Sequence, residues 1–126
     1  MKKIIATKNA PSAIGPYSQA VLVNGMLFTS GQIAINPETG NVEAKTVEEQ
    51  TVQVLKNITA ILESEKFTLD DVFKTTIFLK NMEDFSKINS IYGDFFNGDK
   101  LPARSTVEVA RLPKDVLIEI EVIATK

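Results

Sequence analysis

The segment from Val116 to Ala124 is apolar on both of its alternating faces, with Val116, Ile118, Ile120 and Val122 on one parity and Leu117 and Ile123 on the other. A strand of that kind belongs inside a sheet and needs cover on both sides. The rest of the chain supplies cover for one. Val47, Val54, Leu55, Ile58, Ile61 and Leu62 recur at helical spacing behind a Thr46/Glu49 capping box. A second helix is predicted from Met82 to Phe96, with Asn81 as N-cap, Met82, Phe85, Ile88, Tyr92, Phe95 and Phe96 as its apolar stripe, and Gly98 closing it. Two helices on one side leave the other side bare, so that face is expected to dock against another copy of the chain.

The remaining strands follow from turn chemistry and alternation. Asn24-Gly25 supplies the two positive φ angles of a type I′ turn between Tyr17–Val23 and Met26–Ser30. Asn36-Pro37-Glu38-Thr39-Gly40 is a turn-rich loop before the first helix. Asp70-Asp71 introduce a strand from Val72 to Lys80, with Phe73, Ile77 and Leu79 expected on one face and Lys74, Thr76 and Phe78 on the other. Arg104–Arg111 and Val116–Ala124 read as a hairpin joined by Leu112-Pro113-Lys114-Asp115. The order ββαβαββ, with room for a short strand near Ile4, predicts an α+β fold: a single mixed or antiparallel sheet with two helices on one face. Residues 1–126 are expected to form one domain, long enough to bury roughly two thirds of its unfolded surface.

Composition narrows the chemistry. The chain has no cysteine and no histidine, which excludes disulfides, thiolate nucleophiles, Cys/His zinc sites and Ser-His-Asp triads. Proton transfer is left to carboxylates, tyrosine, lysine and water. With 14 Lys plus Arg against 16 Asp plus Glu, the net charge is −2; no basic field invites nucleic acid. The apolar stretch after Met1-Lys2-Lys3 stops at Ala6, short of the roughly 7–15 residues of a signal sequence core. No apolar run approaches the roughly 18 residues of a membrane span, so a cytoplasmic location without membrane contact is expected.

Charged residues within strands are the informative anomalies. Alternation places Arg104, Thr106 and Glu108 on one face, and a tight hairpin pairing Arg111 with Val116 puts Glu108 opposite Glu119 and turns Arg104 to the same side as Glu119 and Glu121. Two readings stand: a solvated face of weak ion pairs, or a site in which the Arg104 fork grips a carboxylate while a glutamate holds water against the neighbouring carbon. Tyr17, in Gly15-Pro16-Tyr17-Ser18-Gln19, is either a wet tyrosine at a sheet edge or a ligand contact. In Thr29-Ser30-Gly31-Gln32, Gly31 either ends a strand or lets backbone N–H groups approach a ligand. Asn89 falls among the polar positions of the second helix, where exposure is expected.

Taken together, Gly15-Pro16-Tyr17-Ser18-Gln19, Thr29-Ser30-Gly31-Gln32-Ile33, Pro102-Ala103-Arg104-Ser105 through Ala110-Arg111-Leu112-Pro113, and Ile118-Glu119-Ile120-Glu121 resemble the RidA (YjgF) family of reactive-intermediate deaminases over essentially the whole chain. The resemblance implies a chorismate-mutase-like fold, a homotrimer with clefts between subunits, and cofactor-independent hydrolysis of 2-imino acids such as 2-iminopropanoate and 2-iminobutanoate. It further implies that Arg104 binds the substrate carboxylate, Glu119 positions or activates water, Tyr17, Ser30 and Asn89 line the cleft, and backbone N–H groups of Gly31 and Thr106 contact the ligand. One position departs: the family usually carries cysteine where this chain has Thr106. A non-catalytic keto-acid-binding or regulatory partner protein, for example in purine regulation, is the alternative.

Overall fold

The computed structural model describes residues 1–126. Three short strands open it, β1 Lys3–Ile5, β2 Ala20–Val23 and β3 Met26–Thr29, followed by helix α1 Val47–Glu63. Strand β4 Val72–Leu79, helix α2 Phe85–Phe95, β5 Ala103–Glu108 and β6 Ile118–Thr125 complete the chain. They build one six-stranded mixed sheet in the order β1-β2-β3-β6-β4-β5. Only β4 and β5 run parallel, with α2 as their crossover. No helix is long and apolar enough to cross a membrane.

Local signals place most elements. Asn24 and Gly25 take φ of 50° and 76°, and Val23 pairs with Met26 across them, as a type I′ turn requires. Thr46 caps α1 by accepting the Glu49 N–H at 3.1 Å and donating to the Glu49 carboxylate. The helix leaves through a Schellman closure: Phe67 N–H reaches the Leu62 carbonyl at 2.9 Å and Lys66 N–H the Glu63 carbonyl at 3.0 Å. Lys66 holds the left-handed position, at φ 63°. Asn81 accepts from the Glu83 N–H at 3.0 Å, but Met82–Asp84 is a 3-10 turn, so α2 proper begins only at Phe85.

Leu55, Ile58, Ile61 and Leu62 of α1, Ile88 of α2, and Leu27, Ile77, Leu79, Ile118 and Ile120 of the sheet are fully buried in one cluster. Each such side chain contributes about 1.5–3 kcal/mol relative to its exposed state. The opposite sheet face, carrying Val21, Phe28, Phe78 and Ile123, has no helix over it and is only half-buried.

Two expectations are corrected. Arg104–Arg111 and Val116–Ala124 do not form a hairpin: β6 lies between β3 and β4, and β5 stands on the far side of β4 at the sheet edge. Burial decides the order, because the doubly apolar β6 needs a neighbour on each side while the charged β5 tolerates an edge. Glu108 is therefore not opposite Glu119. Phe73 does not share a face with Ile77 and Leu79 either. A bulge between Val72 and Lys74 shifts the register there, leaving Phe73 42% exposed while Val72, Thr75, Ile77 and Leu79 are buried.

Candidate active site

Arg104 pairs in the parallel ladder with Thr75, and Thr106 with Ile77. Both partners lie on the helix-covered face, so alternation turns Arg104, Thr106 and Glu108 towards α2. At the sheet edge Arg104 stays exposed. Its guanidinium carbon lies 4.8 Å from the Tyr92 ring centroid and 5.1 Å from that of Phe85, and Nη1 donates to Asn89 Oδ1 at 2.8 Å. Phe85, Asn89 and Tyr92 share one helix face because they fall at i, i+4 and i+7. Asn89 is thus half-buried and engaged, not the free surface residue its polar neighbours suggested.

The ion pairs of the chain are Lys3–Glu65, Lys87–Asp84 and Arg111–Asp115, so no carboxylate neutralises Arg104. Beside it lies a cavity of about 450 Å³ lined by Met82, Phe85, Arg104 and Thr106. Beneath, the Tyr92 hydroxyl is 2.8 Å from Thr75 Oγ1. Burial raises the Tyr92 pKa against the opposing pull of that hydrogen bond and of Arg104, which keeps the phenol protonated. Glu108 serves structure: its Oε1 accepts the Met82 N–H at 2.8 Å and ties the 3-10 turn to β5. Thr106 Oγ1 is buried with no hydrogen-bond partner.

Glu119 belongs to the other side. It pairs with Phe78 on β4, out of phase with the buried Ile118 and Ile120, and so points onto the bare face. A cavity of about 560 Å³ there is lined by Tyr17, Ser30, Gly31 and Glu119, together with Ser12, Ile14, Ile33, Ile35, Pro113 and Lys114. Burial raises the Glu119 pKa, with a further push from Glu121 on the same strand. Ser30 Oγ donates to the Ser18 carbonyl at 2.6 Å, which orients the hydroxyl. Tyr17 is 53% exposed. Asn57 on α1 holds the wall in place by donating to the Ile33 and Ile35 carbonyls at 3.3 and 2.9 Å.

Within one chain, then, Arg104 with Asn89 and Thr106 occupies one sheet face and Glu119 with Tyr17, Ser30 and Gly31 the other. This corrects the expectation that guanidinium and carboxylates project the same way: β4 intervenes between β5 and β6 and fixes each parity separately. By pattern alone Met82, Phe85 and Tyr92 belong to a core stripe; the i, i+4, i+7 spacing of Phe85, Asn89 and Tyr92 is the sequence signal that sets them beside Arg104. In the sequence Lys114 is marked only as part of a turn. It carries no helical signal and reaches the Glu119 cavity from a left-handed backbone, φ 56°. No group of three or more His, Cys, Asp or Glu side chains gathers as a metal-ligand set.

Residues 7–126 match the family model described as Endoribonuclease L-PSP. The chain belongs to this family. It is the RidA/YjgF family of the sequence resemblance. Among relatives, an Escherichia coli protein named 2-iminobutanoate/2-iminopropanoate deaminase is 52% identical over 128 aligned positions, covering 100% of this chain and 99% of that one. A Lactococcus lactis protein named for a regulatory role, AldR, is 59% identical over 122 residues, covering 97% of this chain and 96% of its own. The crystal structure of Escherichia coli TdcF with bound serine superposes with a TM-score of 0.92 at 46% identity, covering 98% of each chain. The α+β architecture is thus that of the RidA/YjgF family.

Proposed function

We propose that the chain hydrolyses 2-imino acids to 2-keto acids and ammonia, in a homotrimer of chorismate-mutase-like subunits whose sites form where the bare sheet face of one copy meets the arginine edge of the next. The observation that carries this is Arg104: a guanidinium with no carboxylate partner, held by Asn89 and two rings beside a cavity. Such a planar fork is suited to a carboxylate ligand. The serine bound by TdcF is a small carboxylate of the right kind.

In this mechanism Arg104 binds the substrate carboxylate and Glu119, from the neighbouring copy, holds a water against C2. As the water oxygen bonds to C2 and the C=N π pair moves to nitrogen, Glu119 accepts a water proton. Returning that proton to nitrogen gives an amine; the carboxylate then carries the hydroxyl proton to the same nitrogen as the tetrahedral centre collapses, so that the C=O bond forms, the C–N bond breaks and ammonia leaves. The raised pKa of Glu119 suits this two-way traffic, since a carboxyl nearer neutrality both accepts and returns a proton readily. Backbone N–H groups of Gly31 and Thr106 stabilise charge developing at the reacting centre. RNA cleavage fits the chain less well: it has no histidine and a net charge of −2.

The test generates 2-iminopropanoate from serine with a dehydratase and traps it with semicarbazide. The protein is expected to lower the trapped yield, and Arg104→Ala to lose that effect. An unchanged yield at stoichiometric protein refutes the deaminase reading. The regulatory name of the Lactococcus lactis relative favours a second reading, a keto-acid sensor. Binding of 2-oxobutanoate that Arg104→Ala abolishes, without turnover, would select it.

A further inference from the structure

Neither oxygen of Glu119 is held by a hydrogen bond or an ion pair of the chain. Something else must fix a carboxylate that directs a water. The backbone of Gly31 passes directly beneath it. A Cβ at position 31 would collide with Glu119 Oε2 and stand 2.7 Å from Cδ and 3.1 Å from Cγ. Gly31 does not have the left-handed φ that would call for glycine on conformational grounds, unlike Gly15, Gly25, Gly40 and Gly98.

We infer that Gly31 is a positioning residue whose missing side chain forms the seat of the Glu119 carboxylate. The backbone on that side cannot yield. Gln32 N–H donates to the Ile120 carbonyl at 2.8 Å and Ile120 N–H to the Gln32 carbonyl at 3.1 Å, clamping the segment to β6 beside Glu119, while Ser30 N–H is tied to the Gln19 carbonyl at 2.9 Å. The movable partner is the carboxyl group. A methyl at position 31 therefore swings the carboxylate off its seat towards solvent and away from the reacting carbon, leaving the arginine half of the site untouched.

The kinetic arm of the test rests on the deaminase reading; the other arms do not. A misplacement of about 1 Å costs on the order of 100-fold in rate, so Gly31→Ala is expected to lower kcat by about 100-fold with KM changed less than threefold. Carbon-13 NMR of labelled glutamate carboxyls should show Glu119 titrating at lower pH in Gly31→Ala than in the parent, because the displaced group loses burial. The titratable groups around it are Glu121 on its own strand and Tyr17 and Lys114 on the cavity wall, while β4 faces Glu119 and Glu121 with Phe78 and Thr76; the substitution alters none of them. A KM rise at constant kcat, or an unmoved titration, overturns the inference.

The reciprocal measurement needs neither activity nor titration. Glu119→Ala removes the atoms a methyl would meet, so Gly31→Ala should lower the melting temperature less in that background than in the parent. Equal costs in both backgrounds overturn the seat. Activity retained by Glu119→Gln would instead sink the deaminase mechanism and leave this comparison standing.

Discussion

Replacing Arg104 by lysine keeps the charge and removes the fork, and the structure sets the size of the loss. The guanidinium is steered by one hydrogen bond to Asn89 at 2.8 Å and by two ring faces at 4.8 and 5.1 Å. A flexible ammonium retains the Coulomb attraction but offers a bound carboxylate one contact where the fork offers two. Losing one charge-assisted hydrogen bond costs about 1.5–3 kcal/mol. Taking about 2 kcal/mol, Arg104→Lys should lower kcat/KM roughly 30-fold and weaken 2-oxobutanoate binding by a similar factor. Calorimetric titration and the semicarbazide assay read the two quantities. A variant within threefold of the parent on both would show that charge alone suffices and that the fork is not the recognition element.

Other substitutions test separate links. Thr106→Val removes a buried hydroxyl that has no partner and should raise stability by about 1 kcal/mol, about 4 °C in Tm; a lower Tm would mean the hydroxyl is satisfied. Thr106→Cys should change turnover by less than about tenfold, about 1.4 kcal/mol, since the proposed chemistry uses no thiol. Lys66→Gly relieves a left-handed lysine in the Schellman closure and should add about 0.5–1 kcal/mol by urea unfolding; destabilisation would contradict the strain. Because Glu119 has its pKa raised in the fold, between the unfolded and folded pKa values the native state holds a proton that the unfolded chain has released. Its contribution is favourable below the ordinary carboxylate range and is lost as pH rises through the folded pKa. Glu119→Gln should therefore melt higher than the parent at neutral pH, with the difference vanishing in acid; a constant difference would refute the linkage.

The features legible in the sequence are those set by neighbours along the chain. Asn24-Gly25 determines its own turn, Thr46 and Glu49 their own cap, and alternation alone puts Arg104, Thr106 and Glu108 on one face. The hairpin expected at Leu112–Asp115 failed because loop length is compatible both with adjacent strands and with a step over β4, and only the competition for burial between β5 and β6 decides. Phe73 is displaced by a bulge that no turn residue announces. The contact of Gly31 with Glu119 joins segments 88 residues apart, as the numbering shows, and Arg104 reaches Asn89 across the β5/α2 packing. Residue identities thus pointed to the right side chains, while their division between two sheet faces emerged only with the strand order.

That division makes the composite site directly testable by complementation. Arg104→Ala and Glu119→Gln chains, each inactive alone, are co-expressed in equal amounts and the mixed oligomers assayed for loss of trapped imine. If each site takes its guanidinium from one copy and its carboxylate from the next around a closed ring, about one quarter of the sites are intact and activity returns to about one quarter of the parent's. Mixed oligomers as inactive as either variant would place both groups in one chain's site and contradict the account.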